Sequence, residues 1–83
     1  MKELVEMMVK SLVDSPEEVV INETTGTSIV ILEISVSSED VGKVIGKEGR
    51  IANAIRTVVK AAAAKHQKKV TVEIMTKSEA SVV

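Results

Sequence analysis

The 83-residue sequence has no cysteine, no phenylalanine, tyrosine or tryptophan, one proline and one histidine. Each absence removes a class of chemistry. Without cysteine there is no disulfide framework, no thiol nucleophile and no thiolate metal site. Without aromatic rings, a nucleic-acid surface built on base–aromatic stacking is excluded. A lone histidine, His66, cannot supply a two-histidine metal site. It lies among lysines near a helix end, where a solvated or capping role fits better than a catalytic one. Apolar runs such as Ile29-Val30-Ile31-Leu32 are far shorter than the ~20 residues of a membrane span. The start Met1-Lys2-Glu3 reaches an acid at once and shows no signal-peptide pattern. The expectation is a cytoplasmic protein with no metal, no cofactor and no membrane association.

Hydrophobic residues make up 45% of the chain and charged residues 28%, the balance of a folded domain. At this length one modest core is expected, burying a little over ~60% of the surface the unfolded chain exposes. A single domain is expected over residues 1–76, with 77–83 as a disordered tail. The net charge of −1 hides a division. Residues 1–42 carry nine acids and two bases, whereas residues 43–83 carry nine bases and three acids. Such asymmetry points to a polyanion partner for the basic half, or to two separately solvated faces.

Helical spacing of Leu4, Val5, Met8, Val9 and Leu12 predicts a helix over 3–13, with Met7 and Val13 at or beyond the stripe's edge. Asp14-Ser15-Pro16 ends it, because the residue before proline is pushed out of the helical region. A short strand is expected over 17–23 and a hairpin turn at 24–27. A strand follows over 28–37, with Val30, Leu32, Ile34 and Val36 alternating onto one face. Ser37-Ser38-Glu39-Asp40 reads as a helix start, with serine as N-cap and acids in the first turn. The short helix 39–45 turns Val41, Val44 and Ile45 one way and stops at Gly46. A longer helix over 50–65 carries an apolar face of Ile51, Ile55, Val58, Val59 and Ala62. Its other face bears Asn53, Arg56, Thr57 and Lys60, and it ends among the cations of Lys65 to Lys69. A last strand is expected over 70–75. The order is α-β-β-α-α-β.

Gly46-Lys47-Glu48-Gly49 joins the two later helices. Glycine enters left-handed conformations and allows close backbone approach. A helix N-terminus at the same place adds unpaired N–H groups and the positive dipole end, which together suit an anion. Lys43, Lys47 and Arg50 surround that spot with full charges. A plain helix–helix turn is the other reading of the same residues.

The context favours the anion site. Val44-Ile45-Gly46-Lys47-Glu48-Gly49, set between strand, short helix, longer helix and strand, resembles the signature of the KH domain. The stretches Leu12-Val13-Asp14-Ser15-Pro16-Glu17-Glu18-Val19, 42–52 and 54–64 are similar to the small stand-alone bacterial KH proteins of the KhpA (YlqC-like) family. That likeness covers about residues 3–75.

The resemblance implies an α+β, type II KH domain: a three-stranded mixed sheet with helices packed on one face, and the last strand parallel to strand 28–37. It implies single-stranded RNA as ligand, held in a groove about four nucleotides long by the Gly-x-x-Gly loop. The protein would be a bacterial RNA chaperone or post-transcriptional regulator. The implied RNA-binding set is Lys43, Val44, Ile45, Gly46, Lys47, Glu48, Gly49, Arg50, Ile51, Asn53 and Ala54, with Ile55 as floor or core. Many KH domains carry isoleucine three residues after the second loop glycine. Here that position is Ala52 and the isoleucine is Ile51, which leaves the floor residue open. The basic segment 65–69 would face the groove from its other side. The implied partners are a second copy of the chain or a larger KH-containing RNA-binding protein.

Other readings are weaker or remain alternatives. A P-loop would need one more residue between its glycines and Ser or Thr where Glu48 stands. The adjacent pairs Glu17-Glu18 and Glu39-Asp40 do not converge, so no catalytic set is seen and no enzyme is expected. A helix-turn-helix DNA reader shares the two helices and glycine turn, with Asn53, Arg56 and Lys60 as its base readers. A protein-interaction module is the third possibility.

Overall fold

The computed structural model describes residues 1–77. Helix α1 (Lys2–Leu12) leads through a 3-10 turn (Pro16–Glu18) into strands β1 (Val20–Thr25) and β2 (Ile29–Val36). Helix α2 (Val41–Ile45), a second 3-10 turn (Lys47–Gly49) and helix α3 (Arg50–Ala64) follow, and strand β3 (Lys69–Thr76) closes the fold. The tail expected over 77–83 lies, apart from Lys77, outside the described residues.

Strand order is β1-β2-β3. The hairpin is antiparallel, from Val20 opposite Ser35 to Thr25 opposite Val30. Its turn is closed by the Gly26 N–H donating to the Ile29 carbonyl at 2.7 Å. β3 runs parallel to β2, from Lys69 beside Ile29 to Thr76 beside Val36. This is the return expected of a strand–helix–helix–strand crossover. The sheet and helices enclose one aliphatic core, where Val30, Leu32, Ile34 and Val36 of the central strand meet Val5 and Val9 of α1, Val44 of α2, and Ile55 and Val59 of α3. With no aromatic side chain to fill space, close approach replaces bulk, and Ala52 and Ala63 of α3 are buried.

Four local expectations are corrected. β1 starts at Val20, not at residue 17, because Pro16 has φ preset for a turn and opens a 3-10 turn, with the Val19 N–H donating to the Pro16 carbonyl at 3.2 Å. On α3 the buried face is Ala52, Ile55, Val59 and Ala63, and Val58 is 44% exposed. Ile45 does not share the buried direction of Val44 and is 38% exposed. Val13, just past the end of α1, turns into the core instead of standing at its edge.

Candidate nucleic-acid interface

The loop 46–49 is built from backbone conformations that ordinary residues avoid. Gly46 has φ 76° and ψ 176°, and Gly49 has φ 75° and ψ 13°. Glu48 is also left-handed, at φ 56° and ψ 26°. The Gly46 N–H donates to the Gly42 carbonyl at 2.8 Å, ending α2, and the Gly49 N–H donates to the Gly46 carbonyl at 3.2 Å. Ile51 lies directly against Gly46: a Cβ there would stand 2.6 Å from Ile51 Cγ1. The loop is thus tight on its inner side, while Lys47, Glu48 and Arg50 face solvent on its outer side. Among the described residues Lys47 and Arg50 form no ion pair. Two free cations flank the N-terminus of a fifteen-residue helix, whose dipole adds to their field.

Lys43, the third cation of the expected set, is engaged. Its Nζ lies 3.0 Å from Asp14 Oδ2 and 3.4 Å from Asp40 Oδ1. Asp40 is 1% exposed. Its Oδ1 accepts from the Asp14 N–H at 3.2 Å, and its Oδ2 accepts from the Ser15 N–H at 3.0 Å and the Ser37 hydroxyl at 3.2 Å. Asp40 stands at the N-cap of α2 but caps nothing in that helix. The expected serine cap is absent as well: α2 begins at Val41, so Asp40 and not a serine stands at its N-cap, and the Ser37 hydroxyl donates to the Asp40 carboxylate.

Burial favours the neutral form of Asp40, but the N–H groups of Asp14 and Ser15, the Ser37 hydroxyl and Lys43 outweigh it and hold the carboxyl below its ordinary value. The hydrogen bond to Asp14, then that to Asp40, holds Lys43 above its ordinary value. The signs fix the pH dependence. Stabilisation from Asp40 is complete above its unfolded pKa of about 3.9 and is lost as pH falls through its lower folded value. Stabilisation from Lys43 is complete below about 10.4 and is lost as pH rises through its higher folded value. Urea midpoints should therefore show an acid-side loss that is shallower in Asp40→Asn. An identical acid limb in the two proteins would contradict this.

α3 has two unlike flanks. Toward α1, Arg50, Ile51, Ala54 and Val58 line a largely apolar groove of about 530 Å³ with Met7, Met8 and Leu12. On the opposite flank Asn53, Arg56 and Lys60 recur at helical spacing, and Arg56 Nη1 donates to Asn53 Oδ1 at 3.4 Å. That flank leads to a cleft of about 300 Å³ lined by Lys60, Lys68, Lys69 and Val70.

The sequence-derived residues therefore divide. Gly46, Lys47, Glu48, Gly49 and Arg50 form the loop and its rim. Val44 and Ile55 are core, Ile45 is exposed beside the loop, and Asn53 stands on the polar flank. Ile51 and Ala54 belong to the α1 side. Ala52, in the position many KH domains give to isoleucine, is buried. The sequence-derived RNA-binding set omitted Arg56 and Lys60 of the polar flank, whereas Lys68 and Lys69 of the cleft belong to the basic segment 65–69 expected across the groove. The i, i+3, i+7 spacing of Asn53, Arg56 and Lys60 was the available signal for the helix residues. No local signal joins Asp14 to Asp40.

Among the described residues no group of three His, Asp or Glu side chains could hold a metal ion, and no helix is long and apolar enough to cross a membrane. A family profile described as "KhpA/KhpB, KH domain" matches residues 2–74. A protein named RNA-binding protein KhpA from Clostridium perfringens is 68% identical over 75 residues, covering 90% of this chain and all of the relative. Its namesake from Clostridium acetobutylicum is 61% identical with the same coverage. The one from Chlamydia pneumoniae is 49% identical over 90% of this chain and 96% of its own length. No solved structure matches. With the strand order, the loop between α2 and α3 and these relatives in agreement, the chain belongs to the KhpA/KhpB family of KH domains.

Proposed function

We propose that this protein binds single-stranded RNA, clamping the sugar–phosphate backbone of about four nucleotides at the loop 46–49. It acts in the cytoplasm as an RNA chaperone or post-transcriptional regulator, by reversible contact and not by catalysis. The observation that carries the reading is the loop itself: two positive-φ glycines, a helix N-terminus, and Lys47 and Arg50 free beside it. The RNA strand passes along the Asn53, Arg56 and Lys60 flank of α3, toward the cleft that Lys60 shares with Lys68 and Lys69.

Titration with labelled single-stranded RNA and duplex DNA at several salt concentrations tests this. Each neutralised phosphate contributes roughly −0.7 to the log–log salt slope for a single strand. With Lys43 held by two carboxylates, Lys47 and Arg50 remain as loop contacts and contribute about −1.4 to the slope, and each phosphate met by Arg56 or Lys60 makes it steeper. Tighter binding to duplex DNA would instead favour the helix-turn-helix reading.

The proposal extends to assembly. One short groove holds few nucleotides, and linking two raises affinity by effective concentration. We take the α1–α3 groove as the pairing face, because Met7 is 63% and Val58 is 44% exposed along it. The partner is a second copy or a larger KH-containing RNA-binding protein. Light scattering should show a dimer that Val58→Glu converts to monomer without loss of helical signal. A monomeric parent that co-purifies with no partner would refute it.

A further inference from the structure

α2 has five residues, too few to hold a helical shape in isolation. Its one fully buried side chain is Val44. Yet α2 delivers Gly46, the first residue of the loop, as its C-cap. Something must fix the direction in which this short element points. Asp40, at its other end, is the buried acid among the described residues, and its bonds run to a distant part of the chain. The N–H groups of Asp14 and Ser15, 26 and 25 residues earlier, both end on its carboxylate. The Ser37 hydroxyl and Lys43 complete the set from either side of Asp40. The backbone is tied at the same point: the Asp40 N–H donates to the Ser37 carbonyl, and the Lys43 N–H donates to the Asp40 carbonyl, each at 2.9 Å.

We propose that Asp40 is the positioning residue of the RNA clamp, its carboxylate locking α2, and with it the loop 46–49, onto the connection between α1 and β1. The inference rests on the loop being the clamp. Val44, with Val41 partly buried beside it, holds only the apolar side of α2 to the core. The carboxylate supplies a polar fixed point at the start of the helix, about a turn and a half from Gly46. Four donors converging on one buried carboxylate are cooperative, and a half-satisfied arrangement is costly, so the lock has no comfortable intermediate setting. Lys43 serves this lock as a strut and leaves phosphate contact to Lys47 and Arg50.

The test uses Asp40→Asn, which keeps the size but leaves one accepting oxygen where there were two. Single-strand affinity is measured at a temperature where melting shows the variant fully folded. Amide hydrogen exchange is followed by NMR at 46–49 and along β2. Affinity should fall about tenfold if the competent loop geometry is populated about a tenth of the time. Amides of the loop should exchange faster while those of β2 keep their protection. Ser37→Ala removes one donor and keeps the charge, and should give a smaller change of the same kind. It carries the test alone should Asp40→Asn fail to fold. A residue of merely structural role would lower the melting temperature and leave folded-state affinity and loop exchange unchanged, and that result overturns the proposal. The exchange data do not depend on RNA. If the parent binds no single strand but the Asp40→Asn loop loosens, the RNA reading fails while the positioning role stands.

Discussion

Replacing Gly46 by alanine is expected to destabilise the protein by about 2–5 kcal/mol, combining a backbone conformation essentially confined to glycine with overpacking of a filled site. For a domain of this size that is a fall in melting temperature of about 10 °C or more. Two independent faults produce it. At φ 76° and ψ 176° a side chain is strained whatever the surrounding space. The added Cβ would also lie 2.6 Å from Ile51 Cγ1 and 2.9 Å from Ile51 Cβ and Cδ1. Ile51→Ala removes the Cδ1 and Cγ1 part of the clash and none of the strain, so Gly46→Ala should cost less in the Ile51→Ala background than in the parent, the loss of Ile51 packing being common to both arms of the comparison. Gly49→Ala provides the contrast. Its φ is also positive, at 75°, but the nearest atom to a new Cβ is Asn53 Nδ2 at 3.9 Å. It should cost only the left-handed penalty, about 1–2 kcal/mol. Equal losses from the two alanine substitutions would show that Ile51 does not pack on Gly46 as described.

Changing Lys47→Asp together with Glu48→Asp should weaken single-stranded RNA binding by about a hundredfold or more at low salt, because like charges brought together at an interface cost several kcal/mol. The pair goes from formally neutral to −2 beside the phosphates. Both side chains are exposed, so no core contact is lost. Glu48 already sits at positive φ, where aspartate is better tolerated than glutamate. The glycines are untouched. Circular dichroism and melting should therefore change little. A folded double mutant that binds RNA like its parent would make the loop a structural turn and remove the proposed function.

The alternating Val30, Leu32, Ile34 and Val36 are all buried because a strand's period of two leaves no choice of face once one face meets the core. The loop glycines were legible because positive φ at a junction of helices is a demand that sequence answers locally. Val58 was misplaced because α3 is apolar around much of its girth, and periodicity cannot decide which of two adjoining stripes faces inward. The sheet chose the stripe with Ala52 and Ala63, whose small side chains let the helix lie close. The start of β1 slipped by three residues because Glu17 and Glu18 belong to the turn Pro16 opens.

Local chemistry by itself determined the order of elements, the faces of the central strand, the left-handed loop and the basic character of the second half of the chain. Each depends on residues within about one turn or one hairpin of each other, so the information is contiguous. Tertiary structure alone decided the employment of individual charges. Lys43 reads as one of three equivalent cations around Gly46, yet Asp14 and Asp40 claim it and leave Lys47 and Arg50 free. Asp40 reads as an ordinary acid at a helix start, yet it is buried and bonded to a segment 25 residues away. Charge acts through distance in space, and folding is what brings Asp14 and Ser15 to the end of α2.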